Sequence, residues 1–153
     1  MEWKHPPISK IYEALGAVAD GRVVRDGDTA RVRSSSGNKE YMVTYDPVTT
    51  AIMANDNGSY FQGYLGYPSI AYLMLVGAVP YTPHSAALLK GIAWKDLNTQ
   101  FNNDFDAAIE HVLSAMSIKD RHEVEEDVAR IYSALLEQRH PVLGEKVRPP
   151  EGY

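Results

Sequence analysis

The stretch that most limits what this chain can fold into is "GYPSIAYLMLVGAV" (66–79). Its unbroken apolar part, residues 70–79, is ten residues long. A helix needs roughly 20 such residues to cross a bilayer. The run must therefore be buried within a folded domain. Pro68 stands where a first-turn helix proline belongs. The expected element is a helix over 69–79, apolar nearly all round and covered on most sides, with Pro80 and Pro83 closing it. The rest of the chain has to supply that cover.

The segment before it has a different period. "RVVRDGDTARVRSSSGNKEYMVTYDP" (22–47) reads as extended segments separated by turns at Asp26-Gly27-Asp28, Ser36-Gly37-Asn38 and Asp46-Pro47. Tyr41, Val43 and Tyr45 share one face, and Glu40, Met42 and Thr44 the other. "TTAIMAND" (49–56) supplies a third strand, and Asn57-Gly58 predicts a tight turn because both residues tolerate positive φ. An antiparallel meander over about 22–56 follows. Ahead of it, Ile8, Ile11, Tyr12, Leu15 and Val18 mark a short amphipathic helix capped by Ser9 and ending near Gly21. "HSAALLKG" (84–91) makes one short helix more.

The C-terminal third is helical by a clearer pattern. Phe105, Ile109, Val112, Leu113 and Met116 lie on one face of one helix; Val124, Val128, Ile131, Tyr132, Leu135 and Leu136 stripe the next. Ser117 and Asp120 between them resemble a capping box. The pair predicts a helical hairpin over 102–140, followed by a proline- and charge-rich tail that lies over the surface. The expected fold class is α+β: one domain over 1–153, with the meander packed on the buried helix.

Composition narrows the chemistry. The chain has no cysteine, which removes disulfides, thiolate catalysis and cysteine-ligated metals. The first ten residues lack the apolar core and cleavage site of a signal peptide, so a cytoplasmic location and no membrane contact are expected. The net charge is −5, and residues 100–153 supply all of it, with six Lys/Arg against eleven Asp/Glu. The 22–39 segment is locally basic, carrying Arg22, Arg25, Arg31, Arg33 and Lys39 against Asp26 and Asp28.

At "VRSSSGNKEYMVTYDP", "AIMANDN" and "YFQGYLGYPSIAYLML" the chain resembles the SWIM-type zinc finger, over residues 31–76. In that family a β-hairpin precedes a CxC pair, a loop, and CxH at a helix start. The resemblance puts the ligand positions at Ile52, Ala54, Ser69 and Ala71, none of which serves zinc. It implies a metal-free framework in which packing replaces the metal's contribution to folding. It also implies contact with DNA or protein partners.

Other candidates are weaker. His122 and Glu126 sit four apart on a helix, but a zincin needs a second histidine there. His84 beside Ser85 lacks a third group to orient a hydrolytic pair. Asp104, Asp106 and Glu110 near His111 are the acids expected at a helix start. The reading is thus a non-enzymatic binding module without cofactor, recognising nucleic acid or a protein. Arg31, Arg33, Lys39, Tyr41, Tyr45, Tyr60 and Tyr64 are the contact candidates, since arginine suits phosphate and aromatic rings stack on bases. A self-associating structural protein is the alternative. A small enzyme using His111 and His122 is the third possibility.

Overall fold

The computed structural model describes residues 1–152. It contains a four-stranded antiparallel sheet and a set of helices, an α+β architecture. The strands are β1 (Val23–Asp26), β2 (Thr29–Arg33), β3 (Glu40–Tyr45) and β4 (Ile52–Ala54), in the order β1-β2-β3-β4. Each turn between strands falls where the sequence carries turn residues, and Gly27 and Gly37 hold φ of 60° and 79° there. The register pairs Val32 with Tyr41 and Val43 with Ala54. One face therefore carries Ala30, Val32, Tyr41 and Val43 into the core, while Arg31, Arg33 and Met42 stay exposed.

Helix α1 (Ile8–Ala19) occupies the centre. It packs on α2 (Tyr67–Leu75), α3 (Pro83–Leu88), α5 (Phe105–Ser114) and α6 (Ile118–Glu137). An amphipathic surface helix was expected here, yet every residue from Ile11 to Ala17 is buried, including Glu13 and Gly16. Gly16 and the alanines keep the helix narrow enough to be surrounded. Its cap also differs from expectation. Pro7 takes the N-cap position, and Ser9 is buried inside the first turn with its hydroxyl unpartnered among the described residues.

Helix α2 is the apolar element. Pro68 through Met74 are all buried, as the run demanded. It ends at Leu75 rather than at 79, before either proline. Gly77 turns left-handed at φ 78°, and the N–H groups of Ala78 and Val79 both donate back to the Leu73 carbonyl. A glycine C-cap stopped the helix, where prolines were expected to.

The last helix begins at the Ser117 cap that the sequence marks, and α5 begins at Asp104, one of the acids expected near a helix start, which acts as its N-cap. The Asp104 side chain accepts from Ala107 N–H, and Ser117 Oγ accepts from Asp120 N–H at 3.1 Å. A short helix α4 (Trp94–Gln100) had no clear signal in the sequence. Its role is to seat Trp94, 2% exposed, against Tyr12 and Gly16 of α1. The tail does lie over the molecule. Val142 bridges in parallel to Ile52, and Lys146 sits 5.8 Å from the Trp3 ring centre. Among the described residues no helix is long and apolar enough to cross a membrane.

Candidate functional site

The stretch 55–67 does not make the tight turn expected at Asn57-Gly58. Asn57 is right-handed helical at φ −60°, and Gly58–Gln62 form a single wide helical turn closed by Gly63 at φ 76°. The glycines serve close approach instead. A Cβ at Gly58 would run into the Tyr64 ring, and one at Gly66 would overlap the Asp56 carboxylate. Asp56 is 5% exposed. Its oxygens accept from Ser59 Oγ at 2.6 Å and from Ser59 N–H at 3.1 Å, which locks the turn from within.

This turn forms one wall of a cleft of about 630 Å³. A second wall comes from the β2–β3 hairpin through Ser34, Ser35 and Tyr41. A third comes from α1 through Lys10 and Glu13, and the last from α4 and the start of α5 through Trp94, Asn98 and Phe105. Tyr67, the first residue of α2, adds its ring and meets Tyr41 edge-on at 6.2 Å. The hairpin and the loop, distant in sequence, thus face each other across one space. A volume of this size lies within the usual range for small-molecule sites, about 300–1,000 Å³.

Two cations of the wall, Lys10 and Arg22, are each matched with a carboxylate. Lys10 Nζ lies 2.8 Å from Glu13 Oε2, with side chains 12% and 11% exposed, and 4.3 Å from the Phe105 ring centre. Burial works against the Lys10 ammonium, but the Glu13 carboxylate outweighs it and holds the pKa above its ordinary value. Arg22 Nε is held 3.1 Å from Asp20 Oδ2, and its Nη1 donates to the Arg33 carbonyl. Burial raises the Asp56 pKa even against its two bonds from Ser59. Burial, then the charges of Asp56 and Glu13, push the Tyr41 phenol up to about 12. Tyr64 and Tyr67 move upward with burial as the first cause. The three phenols therefore remain protonated donors at neutral pH.

Several polar groups of the wall are unused. Among the described residues, no hydrogen bond ties the hydroxyls of Tyr41, Tyr64 and Tyr67 or the Asn98 side chain, and Trp94 Nε1 is the one side-chain atom of the cleft wall that is fully buried and without a partner. Tyr41 is 5% exposed and Asn98 8%. Buried polar groups of this kind are ordinarily satisfied, by protein, water or ligand.

The contact candidates divide. Tyr41 and Tyr64 line the cleft. Tyr60 packs edge-on against Phe61 at 4.9 Å, and its carbonyl accepts from Lys146. Tyr45 packs on Tyr72 at 5.4 Å, away from the cleft wall. Lys39 was expected among the contact residues, but it is only 8% exposed, and its backbone N–H donates to Ser34 Oγ. Burial, then the charge of Lys95, holds its ammonium below its ordinary value. The basic strip is likewise dispersed: Arg22 pairs with Asp20, Arg25 turns back to the Gly27 carbonyl, and Arg33 sits across from Glu40. Arg31 is exposed between Val24 and Met42.

Ile52 and Ala54 are buried in β4, and Ser69 and Ala71 in α2, two elements that pack on each other. In the C-terminal helices Glu110 takes a bidentate pair from Arg121 rather than facing His111, which stacks on Phe101. His122 and Glu126 form an exposed pair at 3.1 Å. His84 meets Glu123 at 2.8 Å, with Asp120 close enough to complete a three-ligand group at the surface.

Sequence reasoning missed Lys10, Glu13, Trp94 and Asn98. The one signal for them was Glu13 and Gly16 in the middle of an apolar helix, positions where a surface helix has no use for either.

A family pattern matches residues 3–140, which takes in the whole cleft wall and stops short of the tail. The chain belongs to that family, described as Uncharacterised conserved protein UCP014422. No curated protein and no solved structure matches it.

Proposed function

We propose that this chain is a binding module whose ligand is a small molecule held in the cleft between the β2–β3 hairpin and the 57–64 turn. The observation that carries this reading is the set of unused polar groups, Tyr41, Tyr64, Tyr67 and Asn98, collected in a pre-formed space of about 630 Å³. A buried polar group left unpaired costs about 1–3 kcal/mol, so the Trp94 Nε1 donor in the same wall persists where water or a ligand satisfies it. A mixed small-molecule library screened by ligand-observed NMR tests the reading. Thr99→Trp is the control, because Thr99 is an exposed residue of the cleft wall and a bulky ring there closes the space. Hits lost in Thr99→Trp support the cleft; a screen with no hits, or with hits that Thr99→Trp retains, removes it.

A second reading uses the outer face of the sheet. Val24 and Met42 are 52% and 47% exposed on either side of Arg31, an apolar pair with a free-standing cation between them. This suits a nucleic-acid or protein partner better than it suits plain solvent. Arg31→Ala with Arg33→Ala should abolish any salt-sensitive binding to DNA or RNA. The SWIM-like framework belongs with this reading. Installing Ile52→Cys, Ala54→Cys, Ser69→Cys and Ala71→His together should confer zinc uptake if the framework is shared, and no uptake in a folded variant discards it. Self-association would need a surface other than α2, whose apolar residues are already spent inside the fold.

A further inference from the structure

Resting on the cleft reading, we infer that the ligand is a neutral polyhydroxylated molecule, a sugar or related polyol. Three features of the wall converge on that chemistry. The first is charge. The cations of the wall are Lys10, Arg22 and Lys95; the acids are Glu13 and Asp56 in the wall and Asp20 on Arg22, so the formal charges cancel. An anion that drew Lys10 away from Glu13 or Arg22 from Asp20 would break a largely buried pair. Removing one partner of such a pair is the costly operation. A cation would meet the same obstacle from the other side.

The second feature is the kind of hydrogen bonding on offer. A phenol donates one hydrogen and accepts through its oxygen, and an amide presents both an N–H pair and a carbonyl oxygen. Tyr41, Tyr64, Tyr67 and Asn98 thus each offer a donor and an acceptor. The Lys10–Glu13 pair adds both again, since it consumes one of three ammonium hydrogens and one of two carboxylate oxygens. Trp94 Nε1 donates only, and the other unused groups named here are two-way, so a ligand whose groups both donate and accept can satisfy them all. Hydroxyls are such groups; carboxylates, phosphates and ammoniums are one-way.

The third is the apolar area between the polar groups. The rings of Tyr41, Tyr64, Tyr67 and Phe105, with Trp94 at the base of the wall, offer the C–H faces of a sugar ring flat surfaces to lie on. Tyr41 and Tyr67 stand perpendicular, at 90°, so they present one edge and one face rather than a slot for a planar aromatic ligand.

Titration calorimetry with glucose, galactose, N-acetylglucosamine, maltose and myo-inositol tests the inference, set against glucose 6-phosphate, glucuronate and glucosamine. At least one neutral member should bind. Asn98→Ala and Tyr41→Phe should each weaken it about threefold to tenfold, the range a lost hydrogen bond produces. Tyr41→Phe removes only a hydroxyl, so it serves if Asn98→Ala fails to fold. Neutral sugars that bind equally well to both variants overturn the inference. So does preferential binding of the phosphorylated, carboxylated or amino forms. If the library screen yields cleft ligands of another class while every sugar and polyol fails, the class inference falls and the cleft reading stands. If nothing binds in either experiment, both fall.

Discussion

Asp56 and Gly66 show how a single pair of residues shapes the site. The carboxylate is buried, anchors the 57–62 turn through Ser59, and fits only because Gly66 has no side chain. Gly66→Ala should therefore destabilise the fold by about 1–3 kcal/mol, as overpacking does. Urea denaturation would read it, and an unchanged midpoint would show that Asp56 can move aside. The Asp56 acid also sets a pH dependence. Burial raises its folded pKa above the unfolded value of about 4. Between those two values the folded state holds a proton the unfolded state has lost, so stability declines as pH rises through that window. Asp56→Asn lacks this titration. The melting temperature of the wild type minus that of Asp56→Asn should fall as pH is raised from about 4, and a constant or rising difference would contradict the raised pKa.

At the scale of elements, a polar tie sets how α3 docks on α6 within the shared apolar core. Asp127 on α6 is 2% exposed, and its Oδ2 accepts from Thr82 N–H at 3.1 Å and from Thr82 Oγ1 at 3.2 Å. Thr82 is the N-cap of α3, so one carboxylate fixes the start of one helix on the flank of another. Asp127→Ala leaves the Thr82 donors without a partner and should cost about 1–3 kcal/mol in chemical denaturation. Asp127→Asn keeps an acceptor oxygen and should recover part of that. Equal losses would mean the tie is packing rather than hydrogen bonding. The same scale shows where patterning succeeds. The β2–β3 alternation, the Ser117 cap and the α6 stripe at Val124, Val128, Ile131 and Leu135 were all visible, because each depends on neighbours within a turn or a pleat.

For the whole molecule, the first and last segments matter beyond their length. Trp3, 5% exposed, donates from Nε1 to the Ile52 carbonyl at 2.7 Å, and its N–H donates to the His140 carbonyl at 2.9 Å. The N-terminal residues and the tail thereby close over the β4 edge, which would otherwise present unpaired groups. Trp3 and Trp94 are the two tryptophans of the chain, and only Trp94 lines the cleft. Trp3→Phe thus leaves Trp94 as the single tryptophan, to be excited selectively over the tyrosines. A cleft ligand should change its emission, and a ligand that binds by calorimetry without any such change would be placed elsewhere.

The sequence by itself determined the α+β class, the order of strands and most helix positions, and that residues around 70 must be buried. Those are decided by period, turn chemistry and caps, which act between residues close in the chain. The tertiary structure alone decided that α1 is a central helix rather than a surface one, since only contact with α2, α3, α5 and α6 buries its second face. It alone brought Lys10, Tyr41, Tyr64 and Asn98 to one cleft, residues that no spacing rule connects. It also recast the glycine and aromatic loop. Gly58 and Gly66 are there for side chains that pass close by, a requirement set by what folds back onto them and not by the turn they occupy.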